Sequence, residues 1–406
     1  MYYIFGILFL ILVTYPSSPI LFALLGAYPS LSYIFIVLIL IFLLLFTTRK
    51  KIRVSKELRI IFILLGFSIV LNFGFAAIGT AIRDFLTLLV IYITLISLNK
   101  NQLCKLLQRY TYFQVFFIAT AMASTLIFVS FDMPGWNVES LTYLSDDNPI
   151  IARQKSGDFD YFMPLYLSVV PIERDGLTRF PLMFTEPTYL WNYCLGLFIF
   201  QFYSRRNYLV ILLLGSALVF SLSYFGLLVI IVMIIMISLD FLRNASKFSR
   251  FTFSFFLLVS LLILTWIHPN FFLDSLYLIL PEQKFKQIDY YFSVVNIFNN
   301  LSIFGTDTVD EFRVYGATAI LPRYGVLGFI VYISVLALIL LKARSLYNLS
   351  IKRRFMKKSQ NKGYYYAIIA STLYMIKTPI FIPFIPLLFL SAYEAHVRQI
   401  KMSILK

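Results

Sequence analysis

RFPLMFTEPTYLWNYCLGLFIFQFY, residues 179–203, carries two charges, Arg179 and Glu186, and then none from Pro187 to Tyr203. That uncharged run is just long enough to cross a bilayer's hydrocarbon core as a helix. Proline is well placed in the first turn of a helix, because its missing N–H has no intrahelical partner there anyway. The arginine and the glutamate demand more explanation. Charges close to hydrocarbon are costly, and where they persist they mark a functional site. The segment therefore predicts a membrane helix starting at Pro187 with a polar site at its mouth.

The rest of the chain fits that environment. Of 406 residues, 60% are hydrophobic and 13% charged, with a mean hydropathy of +0.84. A soluble domain has about a quarter of its residues charged. Apolar runs of spanning length are read at 3–27, 31–47, 60–78, 82–98, 111–131, 187–203, 208–222, 225–241, 252–267, 326–341, 364–376 and 381–395. The expected fold is thus all-α: one polytopic membrane domain of about 12 transmembrane helices over residues 1–406. The first run is interrupted by TYPSSP at 14–19 and lacks a basic start and a small-residue cleavage site, so it is not read as a removable signal. Cys104 and Cys194 are too few for a disulfide framework and are assigned to packing.

A net charge of +16 is explained by topology. Stretches 48–59, 99–110, 204–207, 242–250, 342–363 and 396–406 hold 25 of the 35 Lys and Arg residues, with only Glu57, Asp240 and Glu394 as acids at or beside them. Such retention of basic residues marks the cytoplasmic side. Both termini are expected inside, and nucleic acid is not an expected partner. Two large outer loops remain, 132–186 and 268–325. As the only sizeable polar segments on that face, they are the expected seat of function.

No GxSxG, HExxH or phosphate-cradling glycine loop occurs, and no Ser or Cys has a recognisable base nearby. Asp158 and Asp160 form an Asp-Phe-Asp read as solvated loop charges, so no metal site is assigned. Arginines stand out instead: Arg174, Arg179, Arg313 and Arg323 all lie in the outer loops. A guanidinium is a permanently charged planar fork suited to phosphate oxygens. Two of them from separate loops could clamp a lipid-linked pyrophosphate and stabilise it as a leaving group. The competing reading pairs them with Glu173, Asp175, Asp310 or Glu311, and Arg174, flanked by two acids, fits that best. Glu186 is a candidate base, and equally an acid near a helix N-terminus. Tyr161, Phe162, Trp136 and Tyr189 are candidates for stacking on sugars, although most aromatics in such a chain pack or form interfacial belts.

Three segments carry a family likeness. Arg179–Pro187 reads R-x-x-x-x-F-T-E-P before a span; FSLSYFGLLVI at 220–230 is a Ser-rich bend containing Ser223; RYGVLGFIVY at 323–332 is an arginine-bearing start to a late span. In these motifs and in its layout the chain resembles the O-antigen polymerases (Wzy) and the related O-antigen ligases, and through them the GT-C-type glycosyltransferases. The resemblance implies that a glycan on undecaprenyl pyrophosphate is joined, on the periplasmic face of the bacterial inner membrane, to the next lipid-linked repeat unit. It implies Glu186, Arg179 and Arg323 as catalytic residues and Arg313, Arg174, Tyr189, Tyr161 and Ser223 as substrate-binding ones. The pyrophosphate supplies the energy, so no cofactor is implied. Expected partners are the lipid-linked glycan, membrane lipid, a Wzz-like chain-length regulator and a Wzx-like flippase.

Two alternatives stay open. A ligase would take the same donor, but related ligases place a histidine in the second large loop, where only His268 is available, at its very start. A flippase would show charged or broken helices near the midplane in repeated halves. Here Arg83, Asp84 and Lys377 lie at span ends, and no internal repeat is found.

Overall fold

A computed structural model describes residues 55–71, 78–98, 100–131, 172–174, 177–179, 187–205, 207–221, 320–353, 356–377 and 382–404, with Val37 and Ile39. Helices α1 (Lys56–Leu71), α2 (Ile78–Ser97) and α3 (Lys100–Phe131) are followed by strands β1 (Ile172–Arg174) and β2 (Leu177–Arg179). Next come α4 (Pro187–Phe200), α5 (Tyr208–Phe220), α6 (Ile320–Arg353), α7 (Lys358–Lys377) and α8 (Phe384–Ile404). All belong to one compact unit, Met1–Ser223 with Ile303–Lys406. The expected spans at 3–27, 225–241 and 252–267 lie outside the described residues, and of 31–47 only Val37 and Ile39 are described, both helical.

The described residues are helical, as expected, apart from one short antiparallel hairpin of β1 and β2 inside the first large loop. Asp175-Gly176 lies between them in sequence, a dipeptide favoured in two-residue hairpin turns. A search for apolar runs passes over so short and polar a pair of strands.

Local chemistry explains the helix ends. Ser55 caps α1, its Oγ accepting the Leu58 N–H at 3.3 Å, and Glu57 follows in the first turn. Asn207 caps α5 by accepting the Val210 N–H at 3.4 Å. Helix α4 begins at Pro187, as its sequence predicts, and continues as a π-helical turn over Gln201–Arg205.

Among the described residues, two helices contain segments long and apolar enough to cross a membrane, Asn101–Ile127 in α3 and Gly325–Lys352 in α6. Both helices outrun their expected spans, starting at Lys100 rather than 111 and ending at Arg353 rather than 341. Lys and Arg are good helix formers, so charge ends an apolar run without ending the helix. Threonines within α3 satisfy their hydroxyls internally: Thr111 Oγ1 donates to Leu107 O at 2.9 Å and Thr125 Oγ1 to Ala121 O at 2.9 Å.

Helix α7 is central, packing on α4, α6 and α8. Its residues 366–372 are all buried. Close approach depends on small residues: a Cβ on Gly196 of α4 would meet Phe389 at 3.0 Å and the Ala367 carbonyl at 3.3 Å. Helix α1 shows another pattern. Leu58, Ile61, Phe62, Leu65 and Ile69 are buried, yet Ile60, Ile63, Phe67 and Val70 on its other side are exposed and equally apolar.

One end of the bundle is tied by charge. Lys342 of α6 places Nζ 2.9 Å from Glu57 Oε2 of α1 and 4.0 Å from Glu394 Oε1 of α8. Arg398 donates to the same Glu394 oxygen from the next turn. The Lys342 hydrogen bond holds the Glu57 carboxyl below its ordinary range.

Candidate functional site

The first motif supplies a hairpin and then a helix. Register sets Arg179 opposite Ile172, Thr178 opposite Glu173 and Leu177 opposite Arg174. Strand alternation therefore puts positions 172, 174, 177 and 179 on one face of the ribbon and 173 and 178 on the other. Both candidate arginines share a face, and Glu173, a proposed partner of Arg174, takes the opposite one. Of Arg174, Arg179, Tyr189 and Arg323 only the backbone is described. Tyr189 occupies the first turn of α4 and Arg323 the first turn of α6. Glu186, Arg313, Tyr161 and Ser223 lie outside the described residues.

Helix α6 is not continuous. Gly325 has φ 66° and ψ −174°, a conformation open essentially to glycine alone, and it kinks the chain there. Arg323 thus rides on a short segment set at an angle to the rest of α6. The glycine inside RYGVLG is the residue that makes this possible, and the expected span at 326–341 starts directly after it.

Helix α4, which follows the first motif, meets described parts of the second and third motifs at one end of α7. Trp191, five residues beyond Glu186, is fully buried; its indole N–H donates to Ser221 Oγ at 2.6 Å. Ser221 opens the Ser-rich bend and in turn donates to Leu218 O at 2.9 Å. The Trp191 ring stacks on Tyr374 of α7, with centroids 6.0 Å apart and planes at 13°. The neighbouring residue on α7, Met375, accepts from Tyr332 OH at 2.8 Å through its carbonyl. Tyr332 closes the third motif. The second motif at 220–230, the third at 323–332 and helix α4, which follows the first motif, are therefore joined through Trp191, Ser221, Tyr332 and the adjacent pair Tyr374–Met375.

Sequence reasoning missed these four side chains. Trp191 has the profile of an interfacial-belt tryptophan, whereas its N–H is satisfied by protein inside the bundle. No local signal pairs Trp191 with Ser221, because the contact spans a helical hairpin. No group of three or more potential metal ligands occurs among the described residues. Neither the protein-family models nor the curated proteins nor the solved structures contain a match to this chain.

Proposed function

We propose that this chain is a polytopic membrane glycosyltransferase, with both termini cytoplasmic and its site at the outer face. It polymerises repeat units carried on undecaprenyl pyrophosphate into a surface polysaccharide. The gathering of Ser221 from the second motif, Tyr332 from the third and Trp191 of α4, just after the first, at one end of α7 is the observation that carries this reading.

The apolar runs and the uneven distribution of basic residues support about 12 spans with loops 132–186 and 268–325 outside. The apolar outer side of α1 suits contact with lipid tails. In the reaction, an acceptor sugar hydroxyl attacks the anomeric carbon of the donor. A new glycosidic C–O bond forms as the bond to the diphosphate breaks. Glu186 takes the hydroxyl proton, while Arg179 and Arg323 stabilise the charge gathering on the lipid diphosphate. Arg174, Arg313, Tyr161, Tyr189 and Ser223 hold the two glycans.

Deleting the gene in its own host tests the assignment. Polymerisation predicts a surface anchor that still carries single repeat units when the polysaccharide is resolved on a gel. A bare anchor with full-length polymer left on its lipid would make the protein a ligase. Absence of any exported repeat would make it a flippase.

A further inference from the structure

Helices α1 and α2 border an apolar groove of about 220 Å³, formed in part by Phe62, Gly66, Phe85, Leu88 and Tyr92, with Arg59 at the end where α1 begins. Arg59, Phe62, Ile63 and Gly66 follow one another at helical spacing, so a single stripe of α1 runs from charge into hydrocarbon over about 10 Å. The Phe62 and Tyr92 rings stand 4.8 Å apart. Gly66 keeps the far part open: a Cβ there would touch only Leu88, at 3.7 Å. Ile63 on the groove wall and Phe67 beyond it are apolar and exposed, at 68% and 55%.

The charge around the polar end is one-sided. Residues 48–59 hold six Lys or Arg and one acid, Glu57. Glu57 is already bound by Lys342 at 2.9 Å, so it does little to offset the positive field at Arg59. An apolar trough with an exposed guanidinium at its polar end fits an acyl chain beneath a phosphate.

We infer that the α1–α2 groove is a binding site for one anionic phospholipid, its acyl chain along Phe62 and Gly66 and its phosphate on Arg59. This rests on the membrane part of the proposed function and is independent of glycosyl transfer.

The full chain, purified in mild detergent, is mixed with phosphatidylglycerol or phosphatidylcholine of identical acyl chains. Retained lipid is then counted by native mass spectrometry. One phosphatidylglycerol per chain is expected, with phosphatidylcholine retained about fivefold less. Arg59→Gln should bring phosphatidylglycerol down to the phosphatidylcholine level, whereas Arg344→Gln, which removes an exposed cation elsewhere, should not. Gly66→Leu fills the groove and should reduce both lipids; Gly66→Ala, whose Cβ fits, should retain them. If Gly66→Leu fails to fold, Leu89→Trp blocks the same groove from α2.

Equal retention of the two headgroups, or wild-type retention by Arg59→Gln, overturns the inference. A dimer mass that Gly66→Leu abolishes would likewise overturn it, making the groove a contact between copies. Protein recovered from the soluble fraction without detergent would remove the membrane reading as well. Membrane-recovered protein that ignores the headgroup removes only the lipid site.

Discussion

Lys342 Nζ lies 2.9 Å from Glu57 Oε2, joining α6 to α1 across most of the sequence, and 4.0 Å from Glu394 Oε1 on α8. Two of the three acids found among the basic stretches therefore serve one lysine. Their environments differ: the Glu57 side chain is 46% exposed and that of Glu394 only 7%.

That difference sets the first prediction. Glu57→Ala should cost no more than about 1 kcal/mol, because a half-exposed pair is screened by water. Glu394→Ala leaves Lys342 and Arg398 without their shared buried carboxylate and should cost roughly 3 kcal/mol. Thermal unfolding of the two variants in the same detergent measures the order, and equal losses would refute the distinction.

Acid should reproduce the milder change. The folded Glu57 carboxyl lies below the ordinary glutamate range, chiefly through its hydrogen bond to Lys342. A depressed folded value means that the pair's stabilisation is fully present above the unfolded value and is lost as pH falls through the folded one. Melting temperature measured from neutral to acid pH should fall less steeply in that window for Glu57→Gln than for the wild type. Superimposable profiles would remove Glu57 as a contributor.

Gly325→Ala should destabilise by about 1–3 kcal/mol, since φ 66° with ψ −174° is a glycine conformation. Gly328→Ala, three residues along the same helix, serves as the control and should be tolerated better. If Arg323 clamps a diphosphate, the Gly325 variant should also lose polymer out of proportion to its lost protein level. Polymer and membrane abundance measured together separate the two effects.

Trp191→Phe keeps a ring to stack on Tyr374 and removes the N–H that Ser221 accepts, for a cost of about 1 kcal/mol. Trp191→Ala also empties a buried aromatic site and should cost about 3–5 kcal/mol. Unfolding midpoints that fail to separate the two would show that the ring's packing contributes little.

The chemistry itself is tested at the two arginines and the glutamate. Arg179→Lys and Arg323→Lys keep charge but lose the bidentate fork, so polymer should fall at least tenfold at normal membrane abundance. Glu186→Gln keeps shape and a neutral capping group, so a base role predicts normal abundance with little polymer. Full polymer from Glu186→Gln would leave that residue a helix cap.

Among the described residues, the sequence by itself located the helices, because that information is local. Pro187 and the apolar runs at 187–203 and 208–222 mark α4 and α5 to within a few residues. It also singled out three short motifs by their charges, serines and resemblance. Helix ends at Lys100 and Arg353 escaped it, since hydropathy reports where an apolar run stops and not where backbone hydrogen bonding does. The hairpin at 172–179 escaped too, being too short and polar for a periodic signal. Only the tertiary structure decided that Trp191, Ser221 and Tyr332 gather at Tyr374 and Met375, and that Lys342 serves both Glu57 and Glu394. Those pairings depend on which helix faces pack around α7 and α6. A helix that is apolar on every side carries no stripe in its sequence to say which face turns inward.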